Sequence, residues 1–212
     1  AITNQKTQKQ MTPNSTSLPA LQEPCETVQR FGDFQTIIKN LHPARVQQSI
    51  IERGVTSNRV AYSSASLRLC EFTSAYTKDN TYRVIELWLY DLSEFVGARG
   101  KLSPDQVKQL AVLLYSDAYI LNFTELGLFF TRVKKGHYGD FYGTVDPVRI
   151  MTFLQQFLEE RTSSVIQVNR DRENEDRKQS DIEWAKVREQ MTEEDFATIS
   201  STINHFIKQL NR

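Results

Sequence analysis

An all-α fold is the class this 212-residue sequence predicts, and three observations predict it. The chain has only 8 Gly and 6 Pro, too few for the many turns that sheets and barrels need. Apolar residues recur at three- and four-residue steps in segment after segment, the period of one helix face. Helix-start signatures also recur: Ser103-Pro104-Asp105, Asn122 with Glu125, and Asp146-Pro147 each put a capping side chain or a proline at a first helical turn. Hydrophobic residues make up 39% of the chain, enough for a core, and charged residues make up 25%. The expected architecture is an irregular helical bundle with a charged connection and a C-terminal helical extension. A flexible polar tail is expected over 1–24, the bundle over 27–161, a charged linker or exposed helix over 162–179, and a helical pair over 180–212.

Each element follows from its local pattern. Residues 1–24 are rich in Gln, Asn, Thr, Ser and Lys and offer little to bury, so ordering them has little to offset its entropic cost. From Thr27 the residues Val28, Phe31, Phe34, Ile37, Ile38 and Leu41 carry a helical pattern that ends at His42-Pro43. Pro43 suits the first turn of a helix bearing Val46, Ile50 and Ile51 and stopping near Gly54. Asn58 to Tyr76 is a further helical segment, and Thr81 to Val96 another, with Trp88, Leu92 and Phe95 expected in the core. Gly97 and Gly100 close it, and Ser103-Pro104 opens a helix with Val107, Leu110, Ala111 and Leu114 on its apolar face. Asn122 and Glu125 form a capping box ahead of Leu126, Leu128, Phe129, Phe130 and Val133. Asp146-Pro147 starts a helix whose stripe is Ile150, Met151, Leu154, Phe157 and Leu158. After Arg161 the run NRDRENEDRKQ, residues 169–179, mixes both charges without an apolar residue, as a solvated face or spacer does. Ser180 with Glu183, and Thr192 with Asp195, read as two further helix starts, the second leading into Phe196, Ile199, Ile203, Phe206 and Ile207.

Function classes narrow by exclusion. The net charge is zero, whereas a protein that coats nucleic acid with its whole surface carries a basic excess. Cys25 and Cys70 are far apart and form no CxxC pair, as expected of free thiols in a reducing compartment. The polar N-terminus lacks the apolar stretch of a signal peptide, and no apolar run approaches the ~20 residues that span a bilayer. These features predict a cytoplasmic protein with no membrane partner. His42, His137 and His205 are widely separated, and no HExxH, GxSxG or phosphate loop occurs. No catalytic residue, metal ligand set or cofactor is therefore expected. His137 with Asp140 and Asp146 matches no known ligand geometry, and Glu159, Glu160 and Arg161 read as a solvated helix terminus.

The candidate site is the turn between the helices of 122–134 and 147–161. Arg132, Lys134, Lys135 and His137 supply cations, and Tyr138, Phe141 and Tyr142 interleave with them. Cations meet phosphate, aromatic faces stack on unpaired bases, and Gly136, Gly139 and Gly143 let the backbone bend. The competing reading is structural: glycines for a sharp connection, tyrosines on the core, and lysines on the last carbonyls of the preceding helix.

Asn122 to Arg161 resembles a family of uncharacterised proteins carried in Bacteroides-type genomes, their phages and mobile elements. The residues that carry the resemblance are Glu125, Leu126, Phe129, Phe130, Lys135, Gly136, Tyr138, Gly139, Phe141, Tyr142, Gly143, Asp146 and Pro147. It covers about 100–165 and leaves out the tail and the last two helices. The helix order and basic turn are more loosely similar to small phage proteins that load a replicative helicase. That resemblance implies DNA or a replication protein as partner, acting through binding alone, because no Walker motif is present. The expected function is that of a non-enzymatic binding protein of a phage or mobile element in DNA replication or maintenance, with self-association through the C-terminal helices. The alternative is a structural or regulatory protein–protein interaction module without nucleic-acid contact.

Overall fold

The computed structural model describes residues 26–97 and 99–210, and the expected tail over 1–24 lies outside them, as does Cys25. Among the described residues there are ten helices and no strand: α1 (Glu26–Phe31), α2 (Phe34–Asn40), α3 (Pro43–Glu52), α4 (Asn58–Tyr62), α5 (Leu69–Tyr76), α6 (Lys78–Val96), α7 (Pro104–Ala118), α8 (Phe123–Lys134), α9 (Pro147–Gln190) and α10 (Glu193–Leu210). The chain is all-α.

Helix α8 is the hub, with α3, α4, α6 and α9 packed around it. It is apolar nearly all round, and Phe123, Leu126, Leu128, Phe129, Phe130 and Val133 are all buried. A helix buried on every side has no face to give to water. Trp88 of α6 meets Phe130 at a ring separation of 5.3 Å, and Phe157 of α9 meets Phe129 at 5.5 Å. Gly127 sits where α3 crosses: a Cβ there would lie 2.6 Å from Ile50 Cδ1 and 2.7 Å from Val46 Cγ1. The missing side chain lets the two helices approach.

The expected capping chemistry is present at the helix starts. Ser103 Oγ accepts from Gln106 N, and the Gln106 side chain accepts in return from Ser103 N. Asn122 and Glu125 make the same reciprocal pair at 2.8 and 2.9 Å. Asp146 Oδ1 accepts from Val148 N at 2.9 Å, with Pro147 opening α9. At α10, Thr192 N and Oγ1 both donate to Asp195 Oδ2, which holds that carboxyl below its ordinary range.

Three expectations are corrected. Asn58 to Tyr76 is not one helix, because residues 67–70 hydrogen-bond to the chain ahead of α8: Leu69 N to Leu121 O, Cys70 N to Tyr119 O, and Phe123 N to Leu67 O. Ser63, Ser64 and Ser66, whose hydroxyls compete for backbone hydrogen bonds, lie in the break. Phe95 is 61% exposed rather than core. The buried row of α6 runs Val84, Ile85, Trp88, Leu89 and Leu92, and Phe95 falls at its edge beneath the Lys134 ammonium, 4.8 Å from the ring centre. Ser180 starts no helix either. Helix α9 runs unbroken through 44 residues to Gln190, so Ser180 and Glu183 lie inside it. No Gly or Pro interrupts the chain between 148 and 190, and its Glu, Arg, Lys and Gln residues favour helix.

Burial along α9 splits it in two. Ile150, Phe153, Leu154, Phe157, Arg161 and Val168 are buried against the bundle. From 169 to 190 every residue is exposed, and no residue of α10 over 193–209 is buried. At ~1.5 Å per residue the exposed part of α9 is roughly 33 Å long. Among the described residues its one ion pair to the bundle joins Asp171 to Arg59 at 2.7 Å, and both side chains are exposed.

Candidate binding surfaces

The turn after α8 sorts its seven candidate residues into structural and exposed members. Arg132 is committed: its guanidinium donates to Glu160 Oε2 at 2.7 Å, Asn58 Oδ1 at 2.9 Å, the Thr56 carbonyl at 3.1 Å and the Tyr138 hydroxyl at 3.3 Å. Lys134 is committed as well, donating to Asp91 Oδ2 at 2.6 Å and Gln47 Oε1 at 3.1 Å with its side chain 10% exposed. Lys135 caps α8 through its backbone N–H and is exposed. His137 is half exposed, with Nε2 3.7 Å from Glu160 Oε1. Arg132, Lys134 and His137 therefore face carboxylates of α6 and α9, while Lys135 stays exposed.

The aromatic rings divide in the same way. Tyr138 is half-buried against Phe129 and Phe153, at 6.4 and 5.9 Å between ring centres. Burial pushes its hydroxyl above the ordinary tyrosine range, while the Arg132 hydrogen bond pulls the other way. Phe141 packs edge-on against Phe153 at 5.6 Å. Tyr142 is 80% exposed, with the Arg149 guanidinium 5.0 Å from its ring centre. Arg149, in the first turn of α9, was not among the expected site residues, although its place just after Asp146-Pro147 sets it beside the turn. The backbone is fastened to the loop after α6: Gly100 N donates to Gly143 O at 3.3 Å and Val145 N to Gly100 O at 2.8 Å. A Cβ on Gly100 would lie 2.6 Å from Thr144 Cγ2, so that contact needs glycine.

Sequence reasoning missed a polar centre inside the bundle. Glu125 is 1% exposed, and its Oε1 accepts from Arg161 Nε at 2.8 Å while Oε2 completes the capping box. Arg161 is itself 8% exposed and lies over the Tyr62 ring at 5.2 Å, and Asn122 Nδ2 donates to the Ala61 carbonyl at 3.0 Å. The expected solvated terminus at 159–161 is thus corrected, since Arg161 is a core residue in mid-helix and Glu160 holds Arg132. The signal was in the spacing: Ile150, Leu154 and Phe157 continue by four residues to Arg161 and by seven more to Val168.

Two further surfaces stand out. A cleft of about 870 Å³ opens between α2, α3 and α4, with Ile37, Leu41, Ile50, Val55, Leu67 and Phe123 among its apolar lining and Arg45, Arg53 and Arg59 among its polar lining. Among the described residues its lining contains no His, Cys, Asp or Glu. The second surface is the far end of α9 with α10. Ile182, Trp184, Val187, Phe196, Ile199, Ile203, Phe206 and Ile207 are each between 44% and 64% exposed there. Among the described residues no group of three or more metal-ligating side chains occurs, and no helix is long and apolar enough to cross a membrane.

Residues 101–201, slightly under half of the chain, match the model of a family of unknown function, DUF6633. The matched segment begins just before α7 and ends within α10, so it takes in the exposed part of α9, beyond the 100–165 stretch of the resemblance drawn from sequence. No curated protein and no solved structure matches the chain.

Proposed function

We propose that this protein is a non-enzymatic, cytoplasmic interaction module that docks a protein partner on its C-terminal helical arm. The observation that carries this reading is the uncovered apolar face of α10, formed by Phe196, Ile199, Ile203, Phe206 and Ile207. Scattered exposed apolar residues are ordinary on a protein surface, but a contiguous stripe of large ones marks a place where another surface docks. The bundle has an aromatic core and a buried Glu125–Arg161 pair, and it serves as the mount. Tagged wild type, cross-linked in its own cells, should retain a defined set of proteins that the Ile199→Lys/Ile203→Lys variant loses. Identical sets from the two forms would overturn the reading.

A second reading is support of DNA replication or maintenance in a phage or mobile element, the setting implied by the sequence resemblance. It draws on one observation, the exposed Tyr142 ring against the guanidinium of the half-buried Arg149, with the exposed Lys135 on the same turn. Stacking on an unpaired base contributes roughly 1–3 kcal/mol, so Tyr142→Ala should weaken single-stranded DNA binding about tenfold or more. Lys135→Glu should flatten its salt dependence. Fluorescence anisotropy across a salt series checks both, and unchanged binding by the two variants would remove this turn from any DNA contact. Lys134 is unsuitable for that test, because a glutamate there would face Asp91.

A further inference from the structure

We infer that the arm is closed by a second copy of this chain, the two α10 helices running antiparallel. The inference rests on the reading of the arm as a protein-docking surface and names its occupant. Phe196, Ile199, Ile203 and Phe206 follow one another at steps of three, four and three, the spacing of a coiled-coil seam. Ser200, Ser201 and Thr202 occupy the middle of the helix, so no charge near the centre opposes self-pairing.

Charge selects the orientation. Glu193, Glu194 and Asp195 crowd the first turn of α10, and Lys208 lies in its last. A parallel pair would bring two acidic triads together, and like charges set side by side repel. An antiparallel pair centred at Ser201 opposes Phe196 to Phe206 and Ile199 to Ile203, and brings Glu194 level with Lys208 of the other copy. It also carries the second copy's Phe206 toward the hollow of about 390 Å³ lined by Trp184, Val187, Met191, Asp195, Thr198 and Ile199.

The four seam side chains, each about half exposed, leave roughly 100 Å² apiece, or roughly 400 Å² per copy. Ile207 with Ile182, Trp184 and Val187 brings the exposed apolar area of the arm to roughly 800 Å², the share each partner gives to a standard stable interface.

Light scattering after size exclusion, at tens of micromolar chain, tests the pairing. The 212-residue chain should run at twice its 24.5 kDa mass, and the Ile199→Lys/Ile203→Lys variant at one chain mass with its helical circular dichroism retained. Orientation is read in a Cys25→Ser/Cys70→Ser background: Thr202→Cys, close to the two-fold axis of the antiparallel pair, should form a disulfide-linked dimer, and Glu193→Cys alone should not. A monomeric wild type, or self-linking by Glu193→Cys in preference to Thr202→Cys, would overturn the inference. A monomer that still loses cross-linked proteins on Ile199→Lys/Ile203→Lys substitution would sink the self-pairing while leaving the docking surface standing.

Discussion

Glu125 serves two structures at once. One carboxylate oxygen completes the capping box of α8 and the other receives Arg161 from α9, so a local helix start is tied to a contact 36 residues away. Both partners are buried, and removing one leaves the other charge without its counterion. Breaking such a pair costs about 3–5 kcal/mol, whereas replacing both members by neutral groups of similar size is often close to neutral. Arg161→Met should therefore lower unfolding stability by about 3 kcal/mol in urea titrations. Glu125→Gln/Arg161→Met should recover most of that loss, because Gln keeps the capping acceptor. A single variant as stable as wild type would show that the pair is not needed. The residue types of this centre were visible in the sequence, but their pairing was not. Charged residues one after another, as at 159–161, look solvated until a helix phase assigns each its own side. Lys134 makes the same point, since its residue type suggested a ligand contact and Asp91, on another helix, decided otherwise.

At the scale of elements, the features written into short windows were legible. Asp146-Pro147, Ser103-Pro104 and the Asn122–Glu125 box each start a helix, because a cap satisfies N–H groups within four residues of itself. Two boundaries were not legible. The break between α4 and α5 depends on backbone bonds from 67–70 to 119–123, partners about 50 residues apart that no window contains. The absence of a start at Ser180 is the converse case. A capping residue caps only where the preceding chain leaves the helix, and here it does not. Of the candidate turn, the glycine conformations and the aromatic–cation composition were readable, while the division into inward Tyr138 and outward Tyr142 came from packing against Phe129 and Phe153.

At the scale of the whole molecule, the bundle and the arm differ in what they bury. Beyond Val168 no described residue is buried, and the ties back to the bundle are surface contacts such as Arg59–Asp171. Exposed ion pairs contribute little to stability, typically below about 1 kcal/mol. Ending the chain after Gln190 should therefore shift the thermal midpoint by no more than about 2–4 °C. The comparison is made against Ile199→Lys/Ile203→Lys, so that self-pairing stabilises neither form. A larger drop in differential scanning calorimetry would mean that α10 packs on the bundle in solution.

Composition, periodicity and capping were enough to establish an all-helical chain and an amphipathic last helix, because those signals repeat over a few residues and each helix closes its own backbone hydrogen bonds. Which charges are spent inside, which tyrosine faces water and where α9 ends its contact with the core were decided by the packed molecule. Those outcomes depend on side chains brought together from distant helices, and burial there reverses what a charged or aromatic residue does: Arg132, Lys134 and Arg161 became internal fasteners, while the apolar face of α10 stayed exposed.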